Sequence, residues 1–173
     1  MNTGSEGVKI RPLESADEPL VRGWLDTFLR QHQDWWAAGY GRPPTAFVAE
    51  LVERDWQELE QASQSSAGES PRSLVAVLEA EGQAVGIVQA GLRADRTVGI
   101  QIGVLQWIYL APEARGHGLA DRLMAHALAW MDARNVVGRE VFVTALNPAA
   151  VSLYRRHGFE VADYRMLAPV RHP

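Results

Sequence analysis

The sequence predicts an α/β (α+β) domain: a mixed, mostly antiparallel sheet flanked by helices on both faces. Two observations carry this. Apolar residues recur at three- and four-residue spacing in some stretches and alternate in others. The stretch Val98–Leu110 also becomes apolar on both faces, through Leu105, Trp107 and Tyr109, and a strand covered on both sides needs helices on both sides. A length of 173 residues, 47% of them apolar, suits a single domain over 1–173 with a sizeable core.

Val8–Leu13 reads as a short strand that stops near Pro12. Asp17 is a plausible N-cap, followed by Leu20, Val21, Trp24, Leu25, Phe28 and Leu29 at helical spacing. This helix is expected to end before Gln33, because Gly39, Gly41, Pro43 and Pro44 break regular structure. Thr45 can cap a second helix, with Val48, Val52, Trp56 and Leu59 on one stripe. Gln64–Ser73 is a polar surface loop. Leu74–Glu79 and Ala84–Leu92 form a hairpin across Glu81, Gly82 and Gln83, and Ala94–Thr97 turns the chain again. Along Val98–Leu110, the residues Val98, Ile100, Ile102, Val104, Ile108 and Leu110 share one face. Gly99 and Gly103 there mark a bulge or a close backbone approach. Then come a loop over Ala111–Gly118, a helix over Leu119–Arg134 and a strand over Val141–Leu146. A short helix over Pro148–His157 stops at Gly158, and Phe159–Pro169 makes a last strand or hairpin. The order is β-α-α-β-β-β-α-β-α-β.

Composition excludes several function classes. The chain has no cysteine, which removes disulfides, thiolate nucleophiles and cysteine-based metal sites. It has neither a G-x-S-x-G elbow nor an H-E-x-x-H pair, and no metal is expected. A net charge of −4 argues against a nucleic-acid partner held by phosphate contacts. No stretch nears the roughly 18 apolar residues of a membrane span, and no apolar leader opens the chain. The expectation is a soluble cytoplasmic protein with no membrane partner. Residues 1–100 carry 9 basic and 15 acidic groups, and residues 101–173 carry 8 and 6. The C-terminal part can therefore accept an anionic ligand.

The sharpest local feature is Arg115, Gly116, His117, Gly118, Leu119 and Ala120, between a strand and a helix. Glycines let the backbone turn and approach a ligand. The first amides of the helix lack intrahelical partners and carry the positive end of the dipole, so a phosphate or diphosphate fits there. The plain alternative is a glycine-rich turn without a ligand. A Walker loop needs a lysine that is missing, and a dinucleotide fingerprint needs a third small residue where Asp121 stands. The second feature runs from Asn147 to Phe159. Asn147 can cap a helix or bind a ligand amide, and Tyr154 lies in that helix as a packing residue with a polar tip.

Together these segments resemble the GNAT superfamily of acyl-CoA-dependent N-acetyltransferases. Leu110-x-Pro112-x-x-Arg115-Gly116-x-Gly118-Leu119-Ala120 matches the family's V-x-P-x-x-Q/R-G-x-G-I/L-G/A segment. Asn147-x-x-Ala150-x-x-Leu153-Tyr154-x-x-x-Gly158-Phe159 matches its N-x-x-A-x-x-L-Y-x-x-x-G-F segment. The resemblance implies a splay between the fourth and fifth strands that receives acetyl-CoA as co-substrate. The coenzyme's diphosphate would lie on the N–H groups of Arg115–Ala120. Amides near Ile108, Tyr109 and Leu110 would pair with the pantetheine arm and polarise the thioester carbonyl. Asn147 would also bond the arm, and Tyr154 would donate to the departing thiolate. The acceptor would be a primary amine, of a small molecule or a protein, attacking directly. The resemblance also allows a homodimer.

Many members carry a glutamate on the strand corresponding to Val98–Leu110; this strand has none, and Gln106 is its nearest polar candidate. Glu79, His32, Asp34 and ordered water are the other candidates for taking the amine's proton. Trp35, Trp36 and Tyr40, beside Gln33 and Asp34, can form an aromatic, mildly acidic wall for a cationic amine, or they simply cover the core. His117 and His157 read as solvated, and Trp107 and Trp130 as core. The missing glutamate motivates an alternative: a non-catalytic acyl-CoA-binding sensor or regulatory module of the same fold.

Overall fold

The fold is that of a computed structural model, which describes residues 7–40, 47–66, 71–95 and 97–166. Its strands are β1 (Val8–Pro12), β2 (Ser73–Ala80), β3 (Gln83–Ala94), β4 (Gln101–Leu110) and β5 (Arg139–Val141). Its helices are α1 (Glu18–Tyr40), α2 (Val48–Ser65), α3 (Leu119–Asp132) and α4 (Pro148–Arg156). The sheet order follows the sequence, β1 to β5. The first four strands are antiparallel neighbours, and β4 and β5 are parallel.

Two cores lie on opposite faces of the sheet. Leu78, Val88, Leu105, Leu123, Met124 and Met131 are buried on the α3 face. Val21, Trp24, Leu25, Trp56, Leu59, Val77, Ile87 and Trp107 are buried on the α1–α2 face. Each such large side chain contributes about 1.5–3 kcal/mol. Arg11 ties the start of α1 to the sheet. Its guanidinium donates to both Asp17 carboxylate oxygens, at 2.7 and 2.8 Å, and to Glu79 at 2.9 Å. The hydrogen bond from Arg11 holds the Asp17 carboxyl below its ordinary pKa, against the burial that would raise it.

Several expectations are corrected. α1 does not end before Gln33 but runs to Tyr40. Ala37 and Ala38 favour helix, and Gly39 costs only about 1 kcal/mol; Gly41 and the stronger breakers Pro43 and Pro44 lie outside the described residues. The expected cap Thr45 lies there too, and α2 starts after Phe47, which makes no side-chain cap bond. β4 starts at Gln101 rather than Val98. The Asp95 carboxylate accepts the N–H groups of Thr97 and Val98, at 2.9 and 3.2 Å, and Gly99 has φ +68°. That turn leaves Val98 and Ile100 exposed.

The bulge falls at neither Gly99 nor Gly103. Gln89 pairs with Trp107 while Ala90 pairs with Leu105, so Gln106 is the extra residue. One extra residue swaps the faces. Leu105 packs on the α3 side, as do Ile108 and Leu110 beyond the bulge, while Trp107 and Tyr109 turn to the α1–α2 side. The single face expected along Val98–Leu110 therefore does not exist. Gly103 is a close approach: a Cβ there would stand 2.6 Å from Met131 Sδ.

β5 covers Arg139–Val141 and shares only Val141 with the expected strand Val141–Leu146. The part of β4 it would follow has turned at Gln106, and Phe142 is 81% exposed. No strand forms over 159–166, where Val161, Tyr164 and Met166 are exposed and meet no ladder; the rest of that expected strand lies outside the described residues. No described helix is long and apolar enough to cross a membrane.

Candidate functional site

β4 and β5 pair only from Gly103 with Arg139 to Leu105 with Val141. Beyond Leu105 the open edge of β4 meets no strand among the described residues. Which amides face that gap follows from alternation. Ala111 N–H donates to Val85 O on β3 at 2.9 Å. N–H directions alternate along a strand, so Tyr109 N–H also faces β3, while those of Ile108 and Leu110 face the gap. The expectation that Tyr109 offers its amide to a ligand is therefore corrected. Its ring instead stacks on Trp24, with centroids 5.6 Å apart.

After β4 the chain makes a tight turn over Pro112–Ala114, and Arg115 N–H closes it on Pro112 O at 3.3 Å. Gly116 and Gly118 then adopt φ +84° and +73°, a region open to glycine at little cost. Gly118 is the N-cap of α3, and the first helical bond runs from Arg122 N–H to Gly118 O at 3.3 Å. The N–H groups from Gly116 to Asp121 have no acceptor among the described residues. Chain neighbours aside, no atom of the described residues lies within 4 Å of where a Cβ would stand on Gly116 or Gly118, so the space over the turn is open. Open space, unpaired N–H groups and the helix dipole fit a diphosphate. Arg115 N–H is already taken, but its side chain helps frame the turn. Arg115 Nε donates to Leu110 O at 3.0 Å, and the guanidinium lies 5.8 Å from the Tyr109 ring centroid.

His117 is exposed, as expected, but His157 is not simply solvated. Its ring lies 2.9 Å from Asp121 Oδ1, and Arg156 reaches the same carboxylate at 3.2 Å. Burial opposes ionisation of Asp121, but these bonds outweigh it and hold the carboxyl below its ordinary value. They also tie the end of α4 to the start of α3.

Asn147 caps α4: its Oδ1 accepts Ala150 N–H at 3.1 Å, which leaves the Nδ2 donors uncommitted among the described residues. Tyr154 is 8% exposed and packs in the same cluster as Leu110, Ala114 and Leu119. Two segments far apart in sequence thus meet where β4 ends and α3 begins. The Tyr154 hydroxyl has no hydrogen-bond partner among the described residues, and burial pushes its pKa up to about 12.

The opposite side of β4 holds a cavity of about 180 Å³ between α1, α2, β3 and β4. Leu25, Phe28, Asp55, Glu58, Leu59, Gln89, Gln106 and Trp107 line it. Of the expected acceptor residues only Gln106 takes part. Trp35 and Trp36 lie on the last turns of α1, not in a loop; Trp35 is half-buried against His32, and Trp36 is 44% exposed. Tyr40 ends the same helix. A Cβ on Gly39 would stand 3.9 Å from Leu146, so this helix end lies beside the segment before Asn147. Sequence reasoning missed Asp55, Glu58 and Gln89. The legible signal was Asp55 within the apolar stripe of Val52, Trp56 and Leu59.

The candidates for a proton acceptor fare differently. Hydrogen bonds from Arg11 and then Lys9 hold the Glu79 carboxyl below its ordinary pKa, two strands away from β4, which makes it a poor base. His32 Nδ1 lies 2.8 Å from Phe28 O, which favours the proton on Nδ1 and leaves Nε2 as the acceptor. Asp34 is exposed. A second, open recess of about 500 Å³ lies at the far end of α4 from Asn147, around Arg155 and Phe159. Among the described residues no group of His, Asp and Glu could hold a metal ion.

Comparison with known proteins agrees with this geometry. A model of the acetyltransferase (GNAT) family matches residues 13–159. The mycothiol acetyltransferase of Pseudarthrobacter chlorophenolicus is 26% identical over 168 residues, covering 96% of this chain and 47% of that protein. The chain thus spans about half the length of the curated relative it matches. The PaiA N-acetyltransferase from Thermoplasma acidophilum, in complex with coenzyme A, is similar in structure. It has a TM-score of 0.69 at 18% identity, over 91% of this chain and 92% of that one. The aminoglycoside N-acetyltransferase AAC(6')-Iy in complex with CoA has a TM-score of 0.63 at 18% identity, over 95% of each chain. At such identities the solved structures speak for the fold alone.

Proposed function

The chain belongs to the GNAT acetyltransferase family, and from that premise we propose that it moves the acetyl group of acetyl-CoA to a primary amine by direct attack. The acceptor is a small molecule or a protein amino group. One observation carries the proposal: β4 leaves β5 after Leu105, beside a turn of unpaired N–H groups.

Bound acetyl-CoA supplies an activated thioester carbonyl and a thiolate leaving group. The N–H groups of Gly116–Ala120 hold its diphosphate, with Arg115 adding positive charge beside them. The gap-facing amides of Ile108 and Leu110 bond the pantetheine arm and polarise the carbonyl. Asn147 Nδ2 donates to the same arm. Tyr154 faces the sulfur. With a pKa of about 12 its phenol is protonated throughout the neutral range, yet full transfer to a thiolate of pKa near 8.5 is uphill by roughly 5 kcal/mol. Tyr154 therefore acts as a hydrogen-bond donor to the developing thiolate, and the amine's own proton completes the thiol.

The attacking nitrogen must be neutral, whereas an alkylammonium has a pKa of roughly 10. β4 itself carries no carboxylate, so the amine loses its proton to water. The rate should then rise about tenfold per pH unit between pH 6 and 9, with no fall caused by Tyr154 below pH 11.

Thiol release in a panel of primary amines with acetyl-CoA tests the proposal. Steady CoA release with any amine supports it. A raised Tm with acetyl-CoA but no release from any amine favours the alternative, an acyl-CoA-binding sensor or regulatory module. No response of Tm and no release overturns both.

A further inference from the structure

The turn proposed for the coenzyme's diphosphate carries a negative charge of its own. Asp121 is the third residue of α3, and its carboxylate stands in the first turn of that helix. An empty helix start gains from a carboxylate, because the dipole is positive at that end. A diphosphate on the same N–H groups competes for that field and is repelled by the carboxylate. Charges so close lie within the Debye length of about 8 Å, so salt screens them poorly. A neutral or cationic residue would serve the ligand better.

α4 supplies the compensation. One terminal nitrogen of Arg156 donates to both Asp121 oxygens, at 3.2 Å each, and the other donates to Ser152 Oγ at 3.2 Å. His157 Nε2 lies 2.9 Å from Asp121 Oδ1. An ionised carboxylate only accepts, so Nε2 carries a proton and donates it. His157 Nδ1 has no partner among the described residues and can take a second proton. The side chains of Asp121 and Arg156 are 42% and 54% exposed, and that of His157 is 18% exposed. Pairs this exposed add little to stability. As a brace the cluster is weak; as a means of setting charge beside the turn it is well placed.

Of the three members, one changes charge near neutrality. Arg156 stays cationic, and the bonds Asp121 accepts keep it ionised. Histidine is the side chain that titrates between pH 5 and 8. The cluster sums to zero with His157 neutral and to one positive charge with His157 protonated. The neighbouring charges are otherwise engaged. Arg122 donates to Val8 O on β1 at 3.3 Å, and Arg155 and Glu160 line the open recess around Phe159. Glu113 and His117 are exposed in the turn itself.

Building on the proposed coenzyme reading of this turn, we infer that His157 is a positioning residue that takes up a proton together with the coenzyme and acts through Asp121. The added charge cancels the carboxylate facing the diphosphate, so the protonated protein binds coenzyme more tightly. Bound coenzyme in turn holds the proton on His157. The two effects are one coupling and equal in size. Coenzyme affinity therefore falls as pH rises through the titration of His157.

The test follows the ring signals of the five histidines by NMR over a pH titration, with and without saturating coenzyme A. The His157 signal is assigned by its loss in His157→Gln. Coenzyme A should raise the His157 midpoint by about one pH unit, a tenfold difference in binding. Relative to His157→Gln, whose neutral amide can still donate to Asp121, the parent's coenzyme Kd should rise about tenfold between about pH 5.5 and 8.5. Asp121→Asn should tighten coenzyme binding about threefold at the upper pH, whereas loss of a mere brace would weaken it. A His157 midpoint unmoved by bound coenzyme overturns the inference. So does a pH effect that vanishes in His117→Gln but survives His157→Gln, or weaker binding in Asp121→Asn. Should His157→Gln not fold, a parent in which no histidine midpoint rises overturns it. Coenzyme A that shifts no amide signal from Gly116 to Asp121 refutes the coenzyme reading itself; shifts there with a fixed His157 midpoint refute only the proton coupling.

Discussion

The two faces of the sheet solve different problems with different materials. On the α3 face the candidate coenzyme site is made of main chain: a turn with two left-handed glycines, a helix start and the free edge of β4. On the α1–α2 face the recess beside β4 is lined by side chains from four elements. Main-chain donors suit a ligand part that is the same in every reaction, and side chains suit one that varies. The difference teaches where substitutions should act. Changes on the first face should alter coenzyme affinity or the chemical step, and changes on the second should alter the choice of amine.

The largest expected effect tests whether the second face stands on its own anchor. Asp17→Asn removes the charge opposite Arg11 and should cost about 3 kcal/mol of stability by chemical denaturation. It should raise the amine KM through loosening of α1 and leave coenzyme affinity alone. The sign of its pH dependence follows from the lowered Asp17 pKa. The stabilisation is present above the ordinary carboxylate value near 4 and is lost as pH falls below it. Parent and variant should therefore converge in stability once pH has fallen through the lowered Asp17 value.

Next comes Tyr154→Phe, which should lower kcat about a hundredfold with coenzyme Kd within a factor of two. Equal losses in both would make Tyr154 a binding residue and blur the division between chemistry and affinity. Gly118→Ala forces a side chain to φ +73° with no steric neighbour, so only backbone strain opposes it. Coenzyme Kd should rise about tenfold. Smallest is Arg115→Gln, with an expected loss of about threefold in coenzyme affinity. The main chain carries the anion, and the Arg115 side chain already spends Nε on Leu110 O.

The same contrast explains what was legible in the sequence. Arg115–Ala120 and Asn147–Phe159 are contiguous, and the N–H groups of a helix start point where local geometry sends them. Both could be read before any tertiary contact was known. The bulge at Gln106 could not, because an extra residue exists only relative to its partner on β3, and its effect was to put Trp107 and Tyr109 on the face opposite Leu105. α1 outran its expected end because isolated glycine is a weaker stop than proline. Asp55 was visible as a carboxylate in an apolar stripe, but its neighbours Gln89 and Trp107 come from strands more than thirty residues away. Phe159–Pro169 alternates like a strand, yet its described part finds no ladder to join.

The most direct test is to follow backbone amide signals and their hydrogen exchange during titration with coenzyme A. The expected result is the largest shifts and new protection at Gly116–Asp121, then at Ile108 and Leu110, with Tyr109 N–H little changed. Saturable binding that leaves those amides unmoved, or that protects the Asp55–Trp107 cavity instead, would contradict the assignment of the coenzyme to the main-chain turn.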